Sequence, residues 1–188
     1  MEKELTEKEF RKLIQKHIDK NNYVKIYFSE KSPDGYTFGF ILKMSDDFLM
    51  IQETHEFNLS GFKIIPYKRI ASIRNNRFDK KTKEIFYEEG LIKFNQRIID
   101  NTSLKNPESL FKSIKKQNFH CIVESWKKKK DLFSIGEISD INEQSVTIKN
   151  YDATGKLYKK PHKISFKNLE FITFNDNYSV TFKKYLKD

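Results

Sequence analysis

This sequence of 188 residues contains an internal repeat. At an offset of 97, five positions of the first half match five of the second: Gly39, Ile41, Met44, Leu49 and Ile51 fall on Gly136, Ile138, Ile141, Val146 and Ile148. After a two-residue insertion the offset is 99: Ile65, Tyr67, Lys68, Ile70 and Ile73 fall on Ile164, Phe166, Lys167, Leu169 and Ile172. The repeat predicts two copies of one folding unit, a first copy at residues 1–100 and a second copy at residues 101–188.

Each copy has the pattern of one helix followed by five short strands. Thr6 and Glu9 have the spacing of a capping box, and Asn106 followed by Pro107 is a typical helix start. Alternating apolar residues between turn signals predict the strands. They cover residues 24–28, 38–42, 49–51, 62–64 and 70–73 in the first copy, and 119–124, 133–139, 146–150, 159–165 and 171–174 in the second.

These elements predict a mostly β fold with flanking helices, in which each copy is a small five-stranded barrel preceded by an α-helix. Gly39 and Gly136 fit the sharp strand bend that such a barrel needs. Residues 81–89 and 179–187 have a helical pattern at the end of each copy, and residues 95–106 are expected to connect the copies.

Three segments of the first copy resemble a known family. They are Phe38-Gly39-Phe40-Ile41, then residues 44–51, which contain Asp46-Asp47-Phe48, and then residues 67–73, which begin Tyr67-Lys68-Arg69. Together they resemble the Sm-like barrels, in particular those of the bacterial RNA chaperone Hfq, and more broadly other SH3-like small barrels. The resemblance covers about residues 5–75 and, more weakly, 105–174.

The resemblance implies a site for single-stranded RNA. It puts Phe48 where the family stacks a base, and Tyr67 and Lys68 in the segment that lines the RNA. Lys167 takes the place of Lys68 in the second copy. The family's histidine is Arg69 here, and Ser145 replaces Phe48 in the second copy. Members of the family are single barrels that assemble into rings through edge strands, so the resemblance also implies a homo-oligomer formed through edge strands.

The second copy contains a run of four lysines beside an aromatic residue. Trp126 precedes Lys127, Lys128, Lys129 and Lys130 in the turn expected between its first two strands. Lysines beside an aromatic ring can follow a phosphate backbone while the ring stacks on a base. The alternative is a solvated turn in a lysine-rich protein.

The first copy has a basic and aromatic group of its own. Arg69, Arg74 and Arg77 lie close in sequence to Lys68, Tyr67 and Phe78. Guanidinium planes and exposed rings suit single-stranded RNA. Against this, Tyr67 matches Phe166 across the repeat, which is typical of a core position, and Arg74 and Arg77 can be ordinary solvated residues after the fifth strand.

The sequence lacks the residues that several other classes of function need. The chain has one cysteine and four scattered histidines, which argues against a disulfide framework or a structural zinc site. Asp46-Asp47 fits a turn, and His120 and Cys121 face opposite sides of a strand. No cofactor or metal motif is found, so we expect a protein that is not an enzyme and has no cofactor. No apolar run is long enough to cross a membrane, and we expect a cytoplasmic protein.

Two hypotheses for the function follow. The formal net charge of +10 and the Sm-like resemblance favour a single-stranded RNA-binding module. The alternative is a module that binds a protein partner, or assembles with itself, through edge strands and loops. Because all five arginines lie in the first copy, the second copy offers only lysine point charges to a polyanion.

Overall fold

The structure, a computed structural model, describes residues 5–29, 35–127 and 130–187, and only the backbone of Lys127, Lys130 and Asp131. In the described residues five helices flank the strands: α1 (Glu7–Asp19), α2 (Arg77–Glu88), α3 (Gln96–Asn101), α4 (Pro107–Lys116) and α5 (Asn177–Phe182). The first copy supplies β1 (Tyr23–Phe28), β2 (Tyr36–Met44), β3 (Phe48–His55), β4 (Asn58–Pro66) and β5 (Ile70–Arg74). The second supplies β6 (Cys121–Lys127), β7 (Lys130–Ile141), β8 (Ser145–Asn150), β9 (His162–Ser165) and β10 (Leu169–Phe174).

The caps predicted from sequence start the helices. The Thr6 side chain accepts a hydrogen bond from the Glu9 amide, and the Glu9 carboxylate accepts one from the Thr6 amide, which completes a capping box for α1. The Asn106 side chain accepts from the Ser109 amide at 2.8 Å and begins α4. The connection at residues 95–106 contains α3, a short helix that the sequence pattern does not predict. None of the helices described here has the length and apolar character needed to cross a membrane.

The ten strands of the described chain belong to one antiparallel sheet. Their order is β5-β1-β2-β3-β4-β10-β6-β7-β8-β9. The strands of the first copy and those of the second follow the same order, and the two sets meet where β4 pairs with β10. The prediction of a mostly β fold with flanking helices is therefore confirmed, and hydrogen bonds join both sets of strands in one open sheet.

The strand register is also the same in the two copies. Lys25 pairs with Arg74 in the first copy, and the positions at offsets 97 and 99, Ile122 and Thr173, pair in the second. A register shift separates Ile41 from Lys43 on β2, and an equivalent shift separates Ile138 from Asp140 on β7. A short 3₁₀ turn connects the fourth and fifth strands of each copy, at Tyr67–Arg69 and at Phe166–Asn168.

The largest hydrophobic core contains residues of both copies. Phe48 and Ile64 of the first copy belong to the same buried cluster as Phe111, Val123 and many other residues of the second. A further cluster on β1 and β3 includes Phe171, which β10 contributes from the second copy. Burial of apolar surface therefore links the two copies in addition to the strand pairing.

Candidate nucleic-acid interface

A cleft of about 350 Å³ lies where the two copies meet, and we call it the junction cleft. The β2–β3 loop and the first 3₁₀ turn form one wall, and residues from α4, the second 3₁₀ turn and β10 form the other. Its lining consists of Asp46, Asp47, Phe48, Pro66, Tyr67, Lys68, Pro107, Phe166 and Leu169. The tertiary structure thus brings the aromatic residues of the two equivalent turns, Tyr67 and Phe166, to one place.

The same backbone hydrogen bond holds both turns. The Tyr67 amide donates to the carbonyl oxygen of Asp47 at 2.8 Å, and the Phe166 amide donates to that of Gln144 at 2.9 Å. Asp47 and Gln144 are equivalent at the offset of 97. Each aromatic-lysine pair is therefore fixed against the loop before the third strand of its copy, and both Lys68 and Lys167 are exposed beside it.

Packing from α1 orients the Tyr67 ring. Phe10 meets the ring edge-on at a centroid distance of 6.0 Å, and the Arg11 guanidinium carbon lies 4.5 Å from the ring centroid. The Tyr67 hydroxyl is buried without a hydrogen-bond partner among the described residues, and burial raises the pKa of this phenol. Tyr67 therefore keeps its proton at neutral pH and presents a half-buried ring to the cleft.

Arg11 also neutralises part of the acidic rim. Its guanidinium donates to the carbonyl oxygens of Ser45 at 3.1 Å and Asp46 at 2.8 Å, and it contacts the Asp46 carboxylate at 3.3 Å. The Asp47 carboxylate has no ion pair among the residues described here. One carboxylate is therefore left on the rim to oppose an anionic ligand.

Three of the residues proposed from sequence already have partners inside the protein. Phe48 is only 4% exposed and belongs to the shared core, so its ring offers no free face to a base. Arg69 forms an ion pair with Glu170, whose side chain is 2% exposed. Arg74 donates to both oxygens of Asp79, at 3.0 and 2.8 Å, and this pair holds its pKa above the ordinary arginine value.

The other proposed residues do not line the cleft. Lys167 is exposed on the second 3₁₀ turn, next to the lining residue Phe166. Arg77 is exposed, and its guanidinium carbon lies 4.9 Å from the centroid of the Phe78 ring, which is 61% exposed. Trp126 is half-buried on β6, opposite Asp131 of β7.

The lysine run is only partly within the described chain. The backbones of Lys127 and Lys130 pair at the ends of β6 and β7. Lys128 and Lys129, which complete the run, lie outside the described residues.

Sequence patterns do not identify the far wall of the cleft. Pro107 and Leu169 line it from the second copy, and Phe166 is held there by stacking on Phe111 at a centroid distance of 5.7 Å. Only the equivalence of Phe166 with Tyr67 could have suggested its place, because the repeat does not predict which edges of the two copies meet.

Three side chains that could act as nucleophiles or bases, Cys121, His120 and Ser134, are buried. Burial raises the pKa of the Cys121 thiol far above its usual value and lowers the pKa of His120 to about 4. Ser134 Oγ lies 2.9 Å from His162 Nδ1, but Ser134 is 1% exposed, so a substrate has no access to this hydroxyl. Within residues 5–29, 35–127 and 130–187, no three His, Cys, Asp or Glu side chains are placed to hold a metal ion.

Comparison of the chain with protein-family models, with curated proteins and with solved structures found no match.

Proposed function

We propose that this protein is a non-enzymatic module that binds single-stranded RNA in the junction cleft. The observation that carries the proposal is the position of Tyr67 and Phe166, which are equivalent in the repeat and line one cleft together with Lys68. An aromatic ring that stacks on a base, next to an ammonium group that contacts the phosphate backbone, is the usual composition of a single-strand site.

The same proposal assigns the fold to a tandem of Sm-like or SH3-like barrels. The strand order, the register, the bulges and the 3₁₀ turn before the fifth strand recur in the two copies. These features support one small β unit used twice, and the resemblance of residues 38–41, 44–51 and 67–73 to Sm-like and other SH3-like small barrels supports the assignment.

In this proposal the side chains divide into those that contact RNA and those that hold the site. Lys68 and Lys167 are exposed and contact phosphates, while the half-buried ring of Tyr67 stacks on a base. Arg69 keeps the first 3₁₀ turn against β10 through Glu170. Phe48 supports the floor of the cleft from the core.

The test is a fluorescence-anisotropy titration of a labelled single-stranded RNA at low and near-physiological salt, with protein washed free of nucleic acid. The double variant Lys68→Gln, Lys167→Gln should bind about tenfold more weakly at low salt. It should also lower the slope of log K against log salt by about 0.7 for each phosphate that is no longer neutralised.

The matched control removes two exposed lysines that neither line the cleft nor lie within two residues of a lining residue in sequence, Lys80→Gln with Lys160→Gln. It has the same net charge as the first double variant and should bind close to the wild-type affinity. Equal weakening in the two double variants would show that RNA responds only to net charge and would reject the junction cleft.

Removing the carboxylate of Asp47 from the rim of the cleft should change RNA affinity in the opposite direction. Asp47→Asn removes a negative charge without an ion-pair partner among the described residues, so RNA affinity should rise about twofold at low salt and less at high salt. Unchanged affinity at low salt would mean that phosphates do not pass near the β2–β3 loop.

A second candidate is a module that binds a partner protein by strand addition. The observation that favours it is that β5 and β9, the outer strands of the sheet, each pair with only one neighbour among the described strands. Amine-directed crosslinking in cell extract followed by mass spectrometry tests it, because a strand added to β9 should crosslink through Lys163. Crosslinks spread evenly over the surface lysines would count against this candidate.

A further inference from the structure

A second cleft, larger than the first, lies beside the connection between the copies, and we call it the linker cleft. Its volume is about 740 Å³, within the range of small-molecule sites. Residues of α3, of the end of α4 and of the loop after β10 line it. The lining groups that can recognise a ligand belong to Arg97, Asn101, Lys116, Gln117, Phe119 and Asn175.

The charge of the linker cleft favours an anion. Arg97 and Lys116 are exposed, neither forms an ion pair among the described residues, and no Asp or Glu is part of the lining. Lys112, on the same helix as Lys116, is engaged in an ion pair with Glu108. A guanidinium and an ammonium that line one cleft without carboxylates are groups of the kind that bind phosphate in proteins.

The remaining lining is suited to a polar heterocycle. The amide nitrogen of Asn101 donates to the Arg97 carbonyl at 2.8 Å. That of Gln117 donates to the Ser113 carbonyl at 3.2 Å and to the Thr102 hydroxyl at 3.3 Å, which fixes the side chain and leaves its oxygen to accept a hydrogen bond from a ligand. The Asn175 side chain has no partner within the described chain. Asn and Gln amides pair with the donor and acceptor edge of a base, and the half-buried Phe119 ring adds an aromatic surface on which a base can stack.

We propose that the linker cleft binds a nucleoside monophosphate group, either as a free nucleotide or as the phosphorylated end of an RNA strand. Arg97 and Lys116 bind the phosphate, and the amides with Phe119 bind the base. This site is separate from the junction cleft: Pro107 and Lys116 lie at opposite ends of α4, about 14 Å apart along the helix axis.

Isothermal titration calorimetry of the full chain tests the proposal with AMP, UMP, adenosine and inorganic phosphate as probes. A nucleoside monophosphate should bind at least about tenfold more tightly than adenosine or phosphate alone, because only it uses both parts of the cleft. Failure of both monophosphates to bind at millimolar concentration would overturn the proposal.

Substitutions of the two basic residues test whether the nucleotide binds in the linker cleft. Arg97→Gln and Lys116→Gln should each weaken nucleotide binding about tenfold, and both residues are exposed, so folding should be unaffected. Lys160→Gln, an equal charge change outside the cleft, and the double variant Lys68→Gln, Lys167→Gln should leave nucleotide affinity unchanged. Equal weakening by Lys160→Gln would overturn the site.

A competition experiment distinguishes the two sources of the ligand. A short RNA with a 5′-phosphate that competes with AMP, when the 5′-hydroxyl RNA does not, would identify the end of a strand. AMP binding that neither RNA displaces would identify a free nucleotide. Competition by the 5′-hydroxyl RNA equal to that of the phosphorylated RNA would contradict the role of Arg97 and Lys116.

Discussion

Two glycines of the sheet are required by the close approach of a neighbouring strand. A Cβ atom on Gly39 would lie 2.1 Å from the carbonyl oxygen of Gln52, and one on Gly136 would lie 2.0 Å from that of Lys149. Real Cβ atoms do not approach backbone oxygens so closely. The sequence match of these glycines predicts a strand bend. The structure shows why glycine is needed there: the neighbouring strand lies too close for a side chain.

Gly39→Ala and Gly136→Ala should each lower the free energy of unfolding by about 3 kcal/mol or more, because backbone must move to admit the methyl group. At Gly136 the φ of +155° adds backbone strain to this steric cost. The control is Gly90→Ala, where φ is +60° and no atom lies within 4 Å of the added Cβ, so that only the left-handed backbone cost of about 1 kcal/mol applies. Urea unfolding of the three variants measures this. Equal losses at all three sites would reject the steric explanation.

His120 couples stability to pH. It is 8% exposed, packs on Tyr151, and its pKa is lowered to about 4 from an ordinary 6.5 by burial and then by Lys183. Between those two values the unfolded chain binds more protons than the folded one. The stability that neutral His120 provides is therefore complete above pH 6.5 and is lost as the pH falls toward 4.

The expected loss is up to about 3 kcal/mol between pH 6.5 and 4. His120→Phe keeps an aromatic ring against Tyr151 and removes the titration, so its stability should fall less over this range. Urea unfolding midpoints at several pH values compare the two proteins. Parallel curves for wild type and variant would show that other groups cause the acid sensitivity.

At the level of strands, β4 and β10, which join the two copies, differ in chemistry from the equivalent outer strands β9 and β5. We call the first pair the inner edge and the second pair the outer edge. At the inner edge, Phe62 and Ile64 of β4 lie opposite Phe174 and Ile172 of β10. The positions equivalent to Phe62 and Ile64 at the outer edge are Pro161 and Lys163. Proline has no amide proton for a strand ladder, and a lysine on an edge strand opposes pairing.

The aromatic and ionic pairs of the inner edge are also absent from the outer positions. Phe28 meets Phe171 at a centroid distance of 4.4 Å, but the equivalents are Ser125 and Ser72. Arg69 and Glu170 become Asn168 and Ala71. The interactions that join the two copies within one chain are therefore not available to join β9 of one chain to β5 of the next.

In contrast to the homo-oligomer that the Sm-like resemblance implies, we expect a monomer in sedimentation-velocity experiments at tens of micromolar protein, because β9 and β5 lack these interactions. Lys163→Ile combined with Ser125→Phe restores part of the inner-edge chemistry on the second copy and should promote association. A wild-type dimer or ring at this concentration would show that the outer edges pair in another way.

For the molecule as a whole, the shared core predicts cooperative unfolding. Residues of β3, β4, α4 and β6 belong to one buried cluster, so neither copy can lose its structure without exposing the core of the other. Circular dichroism and tryptophan fluorescence from Trp126 should give coincident thermal transitions. Gly39→Ala, which alters only the first copy, should shift both signals together.

A fragment with only residues 101–188 should lack a stable fold, because it loses Phe48, Met50, Phe62 and Ile64 from that cluster. Size-exclusion chromatography and circular dichroism of the fragment check this. A fragment that unfolds cooperatively near the temperature of the full chain would show that the second copy folds independently.

Sequence patterns were sufficient for local structure. The capping residues Thr6 and Asn106, the alternation of apolar residues and the equivalence of Gly39 with Gly136 specify helices, strands and a repeated unit, because these depend on neighbours in the chain. The same patterns place Tyr67, Lys68 and Lys167 beside the fourth and fifth strands.

Interactions between residues far apart in sequence could not be obtained in this way. The pairing of β4 with β10 places Phe166 beside Tyr67, binds Arg69 to Glu170 and forms the junction cleft, over separations of about one hundred residues. Which edges pair depends on the relative free energy of several long-range arrangements that a repeat makes nearly equivalent. Phe62 and Pro161 occupy matching positions of the two copies but differ in chemistry. Such differences favour one arrangement over the others only when the strands come into contact.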